Sequence, residues 1–257
     1  MTSDQQSPSP QDQQPPRLPP LYGNVVPVNA AQHGALKLAA KPDFSFARTT
    51  HILPVLVEEF SLAQRYFPIL FAPEGEAYPM VLVGLREGEN LFIDDKGEWR
   101  RASYVPGYLR RYPFILARRD ANSQEFGLCM DDTAKRLNKE AGEPLFAGDQ
   151  PSDYLKSALE FCRRFEESAQ QTRLFCRLLN ENNLLRSGEV SLNVNGKPVK
   201  YDGFRMIDEK KLAALPDATL ATFAKNGALT AIHAHLFSLA AFQNLFADII
   251  ARQEAAA

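Results

Sequence analysis

Tryptophan occurs once, histidine four times and cysteine three times in 257 residues, and each scarcity removes a class of chemistry. Three cysteines, an odd number in a chain this long, argue against a disulfide framework. Cys162 and Cys176 stand on one helical face about 21 Å apart, too far to bridge or share an ion. Cys129 is alone in a strand, and none of the three has the electropositive setting of a catalytic thiol. His233 and His235 diverge by about 200° around a helix, so they cannot chelate as an i, i+4 pair would. His33 and His51 have no acid or cysteine at ligand spacing. There is no nucleophile elbow, phosphate-binding glycine loop, dinucleotide fingerprint or zinc-protease motif. Asp94, Asp95 and Glu98 surround a turn without the regular spacing of a calcium loop. No catalytic residue, metal or cofactor is therefore predicted.

Charge of one sign is also lacking. The 29 basic and 31 acidic side chains leave a net charge of −2, which offers no global attraction for nucleic acid or a membrane surface. No apolar run approaches the ~18 residues a membrane-crossing helix needs, and no charged-then-apolar signal pattern opens the chain. The expectation is a cytoplasmic protein, or one exported by a route that uses no such signal.

What is present is a folded core of mixed helix and strand. Residues 1–20 are rich in Pro, Gln and Ser, cannot bury enough surface to offset ordering entropy, and read as a disordered tail. Residues 21–254 read as a single α+β domain with a sub-boundary near 133–152, a polar stretch marked by Gly and Pro that is expected to be a loop. Pro27 and Pro54 place their strands at sheet edges. Between Tyr66 and Met130 apolar runs alternate with turns, predicting an antiparallel meander from strands at 78–85, 90–93 and 98–102. A short helix over 104–112 follows, with strands at 114–117 and 126–130. Gln64–Phe71 and Arg110–Leu116 share one grammar: a helix end, Tyr and Pro, then a buried strand. From Asp153 apolar and small residues recur in steps of three and four through Leu179, predicting one helix of about 28 residues capped by Ser152. Asn195-Gly196 turns a hairpin. Asp208 and Asp217 open two short helices, and 229–252 reads as one last apolar helix covered on more than one side.

One segment stands out as a candidate binding face. Trp99, Arg100, Arg101, Tyr104, Tyr108, Arg110, Arg111 and Tyr112, continued by Phe114, Arg118 and Arg119, interleave six arginines with aromatics and contain no acid. Arginine among rings suits phosphate, sugar or an acidic protein face. On this reading, alanine at Arg110 and Arg111 weakens partner binding and leaves the melting temperature unchanged. The competing account pairs the arginines with the acids just upstream: Glu87, Glu89, Asp94, Asp95 and Glu98.

The runs YPMVLVGLREGENLFIDDKGEW, YVPGYLRRYPFIL, GLCMDD and ALTAIHAHLFSLAAFQNL together resemble the bacterial SapC family over most of residues 22–250. The family is named for association with surface-layer proteins, and its members are said to occur beside genes for outer-membrane receptors and tryptophan halogenases. The resemblance implies an accessory role and assigns no catalytic residue. A non-enzymatic binding protein of surface-layer or envelope physiology, holding another protein or an anionic envelope component, is the reading that follows. An enzyme with a pocket assembled from distant residues is the alternative, with Arg110, Tyr112 and Asp131 as the side chains to inspect. Nucleic-acid binding through the same arginines is the least favoured.

Overall fold

The computed structural model describes residues 18–118, 126–194 and 197–255. The first 17 residues of the tail, Arg119 and the Asn195-Gly196 turn lie outside the described residues. The fold is α+β, with antiparallel sheets, one long helix and a group of C-terminal helices.

The largest sheet has five antiparallel strands in the order Leu185–Val194, Lys197–Ile207, Ile69–Phe71, Pro79–Leu82, Ile52–Pro54. A second sheet orders Val25–Pro27, Phe126–Asp131, Phe114–Arg118. The strands bearing Pro27 and Pro54 are both at edges, where the missing N–H costs no second ladder. The expected meander is only partly built. Pro79–Leu82 pairs with Ile69–Phe71 and Ile52–Pro54, and no regular strand forms over 90–93 or 98–102. That turn is closed by a single Ile93–Trp99 bridge. The reason is local: the buried Asn90 amide donates to the Ala47 carbonyl (3.1 Å) and accepts from the Phe92 N–H (2.9 Å), which takes backbone groups out of the ladder. The repeated Tyr-Pro grammar holds twice, as helix Phe60–Ala63 before strand Ile69–Phe71 and helix Gly107–Arg110 before strand Phe114–Arg118. The expected loop at 133–152 instead carries four short strands paired with one another or with Lys37–Leu38.

The long helix runs Asp153–Glu181, about 43 Å at helical rise, and the Ser152 hydroxyl accepts from the Leu155 N–H at its start. Its apolar stripe serves three cores in turn. Leu155 and Cys162 enter a cluster with Phe114, Met130 and Phe146. Phe165 and Ala169 enter one with Tyr22, Tyr108 and Tyr112. Phe175 and Leu179 enter the largest, with Phe67, Phe71, Ile232 and Phe242. Each large side chain so buried contributes roughly 1.5–3 kcal/mol.

The single last helix expected over 229–252 is two, Ala228–Ser238 and Ala241–Ala255. By length and composition the stretch Ala228–Arg252 is apolar enough to cross a membrane. Here it lays Ile232, Phe242 and Leu245 into the main core.

His235 and Ser238 from the first of these helices complete the five-stranded sheet. Arg205 faces Phe71 in register, so Ile207 should face Ile69 two residues further on. The imidazole of His235 stands in that rung instead. Its Nδ1–H donates to the Ile69 carbonyl (2.8 Å) and its Nε2 accepts from the Ile207 N–H (3.1 Å). The Ser238 hydroxyl takes the Ile69 N–H (2.9 Å). Burial disfavours the charged ring and lowers the His235 pKa to about 4, against a small opposing pull from the Ile69 carbonyl. The unfolded chain binds this proton near pH 6.5 and the native chain only near 4. The stabilising contribution is therefore present above pH 6.5 and falls away as the pH drops towards 4, by about 3 kcal/mol in total. Urea unfolding of the wild type and His235→Gln across this window should show the wild type losing stability more steeply on acidification. Parallel pH profiles would disprove the assignment.

Candidate functional site

The arginine-aromatic segment does not form one outward face. Its residues divide into an interior set and an exposed set, and the division follows from how the helix Gly107–Arg110 is anchored. The buried carboxylate of Glu59 receives the N–H of Gly107 (2.7 Å), the hydroxyl of Tyr104 (2.6 Å) and the N–H of Leu56 (2.9 Å). This fixes the helix start after Pro106 and turns Tyr108 and Arg111 inward.

Trp99, Tyr108, Arg111 and Tyr112 are buried. The Trp99 Nε1–H donates to the Tyr104 carbonyl (3.0 Å), and its ring stacks on Phe92 at 5.5 Å. The Tyr108 hydroxyl donates to the Pro20 carbonyl (2.6 Å). The Arg111 guanidinium lies among the rings of Phe165 (4.2 Å), Tyr108 (4.6 Å) and Tyr22 (5.8 Å), with Glu166 at 3.3 Å. Burial raises the tyrosine hydroxyls of Tyr22 and Tyr108, and the arginine works against that rise. Such a cage holds a cation by ring faces as well as by its carboxylate.

Tyr112 and Asp131, two of the three side chains singled out for an enzyme, do meet, at 3.2 Å. Arg110 is not with them: it lies over Tyr104 and Phe161. A cavity of about 210 Å³ bordered by Phe46, Tyr112, Asp131, Lys135 and Arg136 adjoins the pair. Asp131 is nevertheless saturated. Its Oδ1 accepts from the N–H of Asn24 and from the N–H and hydroxyl of Thr133, and its Oδ2 accepts from the Gly23 N–H and the Tyr112 hydroxyl. Burial alone would raise its pKa, but the donors from Thr133, Gly23 and Asn24 outweigh it and hold the carboxyl below the ordinary range. Burial, then the neighbouring Asp131, raises Tyr112. A carboxylate with its lone pairs so occupied clamps the N-terminal segment to the strand end and has no capacity left for a substrate proton.

Among the described residues, no group of three His, Cys, Asp or Glu side chains could hold a metal. All three cysteines are buried, and burial pushes Cys162 and Cys176 up to about 12, away from nucleophilic thiolate.

The exposed members are Arg100, Arg101 and Arg110. Arg100 and Arg101 border a groove of about 340 Å³, and a residue from the far end of the chain, Arg252, completes it. The Leu91 carbonyl accepts from both Arg100 Nη2 (3.2 Å) and Arg252 Nη2 (2.9 Å), so those two nitrogens lie within about 6 Å of each other. Arg100 Nη1 pairs with Asp248 at 2.7 Å, and its guanidinium rests on the Phe92 ring at 4.6 Å. Among the described residues Arg101 has no ion-pair partner. Among the described residues no arginine of the segment is ion-paired with the upstream acids. Glu98 is taken by Lys41 at 2.7 Å, which with that ammonium's field holds its pKa low, and the Arg101 charge adds to this. Asp94 Oδ1 accepts from the N–H groups of Glu98 and Lys96, and its carboxyl is also held low. Arg252 and Asp248 were not legible as site residues. The only sequence signal is an acid and an arginine four apart in an apolar helix.

The SapC family model matches residues 28–245, most of the chain, and the chain belongs to that family. No curated protein and no solved structure matches it.

Burial of Arg111 reverses one expectation. Arg111→Ala should lower stability by about 2–4 kcal/mol, because it empties a buried ring-lined cage. Arg110→Ala, at an exposed site, should cost under about 1 kcal/mol. Chemical denaturation of the two variants decides this, and equal midpoints would refute the interior placement.

Proposed function

We propose, from membership of the SapC family as the premise, that this chain is a binding or accessory protein of surface-layer or cell-envelope physiology. Its partner is an anionic envelope component, held in the groove of Arg100, Arg101 and Arg252. The observation that carries the reading is the pair of guanidinium groups sharing the Leu91 carbonyl. Like charges repel at this separation, and an anionic guest relieves that repulsion. The groove lining carries Arg100, Arg101 and Arg252 against Asp94 and Glu98, a surplus of one positive charge that Asp248, paired with Arg100, offsets; Arg101 and Arg252 are the cations left for a guest.

The binding face is thus narrower than the whole segment from Trp99 to Tyr112. Trp99 floors it and is held by its Nε1–H bond to the Tyr104 carbonyl, while Tyr108, Arg111 and Tyr112 pack in the interior away from it.

Sedimentation with purified envelope fragments tests the reading. Arg101→Ala/Arg252→Ala should reduce the bound fraction at least about fivefold, Arg110→Ala should leave it unchanged, and binding should weaken as salt shortens the screening length. Wild-type binding by the double variant would sink the proposal.

A further inference from the structure

The groove's donors and rings specify more than a negative partner. Resting on the reading above, we infer that the group it recognises is a tetrahedral oxyanion, a phosphoryl group, and that carboxylates and sugar rings are poor fits. Three features carry this.

The rings are out of reach. Phe92 and Trp99 are 3% and 8% exposed, and the outer face of Phe92 is covered by the Arg100 guanidinium at 4.6 Å. They hold the guanidinium plane in place and offer no face on which a sugar or aromatic ligand could stack. What remains for a guest is the forks of N–H donors.

Those donors come from different directions. Arg100 and Arg101 rise from the turn after the Ile93–Trp99 bridge, and Arg252 from the final helix. Within the described residues the three guanidinium groups make only three hydrogen bonds, to Asp248 and twice to the Leu91 carbonyl. A carboxylate presents two oxygens in one plane, so it meets a single fork best and forks from other directions less well. A phosphoryl group carries oxygens at the corners of a tetrahedron and can accept from forks on separate elements at once.

Finally, the nearest carboxylates are already occupied. Glu98 faces Lys41, Asp94 is bonded to backbone N–H groups, and Asp248 is paired with Arg100. Asp94 and Glu98 line the groove as carboxylates and Asp248 neutralises Arg100, so Arg101 and Arg252 are the donors an entering dianion meets.

Equilibrium dialysis with radiolabelled inorganic phosphate measures the binding, and Trp99, the only tryptophan, reports its place through its emission. Phosphate and sulfate should bind saturably and change that emission, whereas acetate at matched ionic strength should not. Arg101→Ala/Arg252→Ala, with its fold verified by circular dichroism, should weaken phosphate at least about tenfold, the loss expected for one or two charge-assisted hydrogen bonds. Arg252→Lys, which keeps the charge and loses the fork, should also weaken it. Acetate matching phosphate, or unchanged affinity in the double variant, would overturn the inference.

A parallel arm uses vesicles of phosphatidylglycerol in phosphatidylcholine. Co-sedimentation that phosphate reverses assigns the phosphoryl group to a lipid headgroup. Phosphate binding without co-sedimentation assigns it to a soluble or polymer-borne phosphate. The two readings fail separately: if the double variant loses envelope binding while phosphate does not bind, the groove stands and its phosphate specificity falls. If envelope binding is unaffected, the groove itself is not the binding face.

Discussion

The five-stranded sheet is held together at its middle by a side chain. The strand Lys197–Ile207 meets Ile69–Phe71 at Arg205 and Phe71, and His235 fills the next rung with its imidazole. Ser238, one helical turn on, takes the remaining Ile69 N–H and returns its own proton to the His235 carbonyl. Two polar residues in an apolar helix thus satisfy backbone groups that a fully buried strand could not leave open. The arrangement works only with the ring neutral, one nitrogen donating and the other accepting. This contact, with the Arg205 bonds to the Ala72 and Gly75 carbonyls, registers the strand Lys197–Ile207 and the helix Ala228–Ser238 on the N-terminal strands.

That registration has a consequence at the surface. Because Ala228–Ser238 is fixed on the sheet, Ala241–Ala255 runs on to the Leu91–Arg100 turn and delivers Asp248 and Arg252 there. The groove is therefore a product of the sheet closure, made from residues about 150 positions apart. Its arginines owe their position to an acid on the last helix and to one backbone carbonyl.

The long helix decides the fate of the other arginines. Phe165 and Glu166 meet Arg111 on the helix Gly107–Arg110 side of the second core, so that one guanidinium is drawn inside. Desolvating a cation is costly unless ring faces and a carboxylate replace the water, and here both do. Arg65, in the earlier copy of the same Tyr-Pro grammar, rests on Tyr66 at 5.8 Å and stays exposed. Neighbouring sequence is nearly the same at the two arginines, and burial is opposite.

Patterns that depend on neighbours along the chain were readable from the residues alone. The long helix and its Ser152 cap, the edge strands at Pro27 and Pro54, the Asp208 cap and both Tyr-Pro junctions were all legible, because periodicity, capping and the missing proline N–H act within a few residues. The arginine segment was legible as unusual composition, and Arg100 and Arg101 do border the groove. Its division into interior and exterior was not legible, nor was the break at Leu239–Ala240 or the loss of the strands at 90–93 and 98–102. Partners distant in the chain settled the burial of Arg111 (Glu166), the place of Arg252 (the Leu91 carbonyl) and the loss of the strand at 90–93 (Ala47 for Asn90). The sequence determined the long helix, the capped helix starts and the strands that Pro27 and Pro54 confine to edges, since those follow from local backbone and side-chain chemistry. Only the tertiary structure decided which charges are buried, because desolvation and its compensation depend on what the folded chain brings alongside.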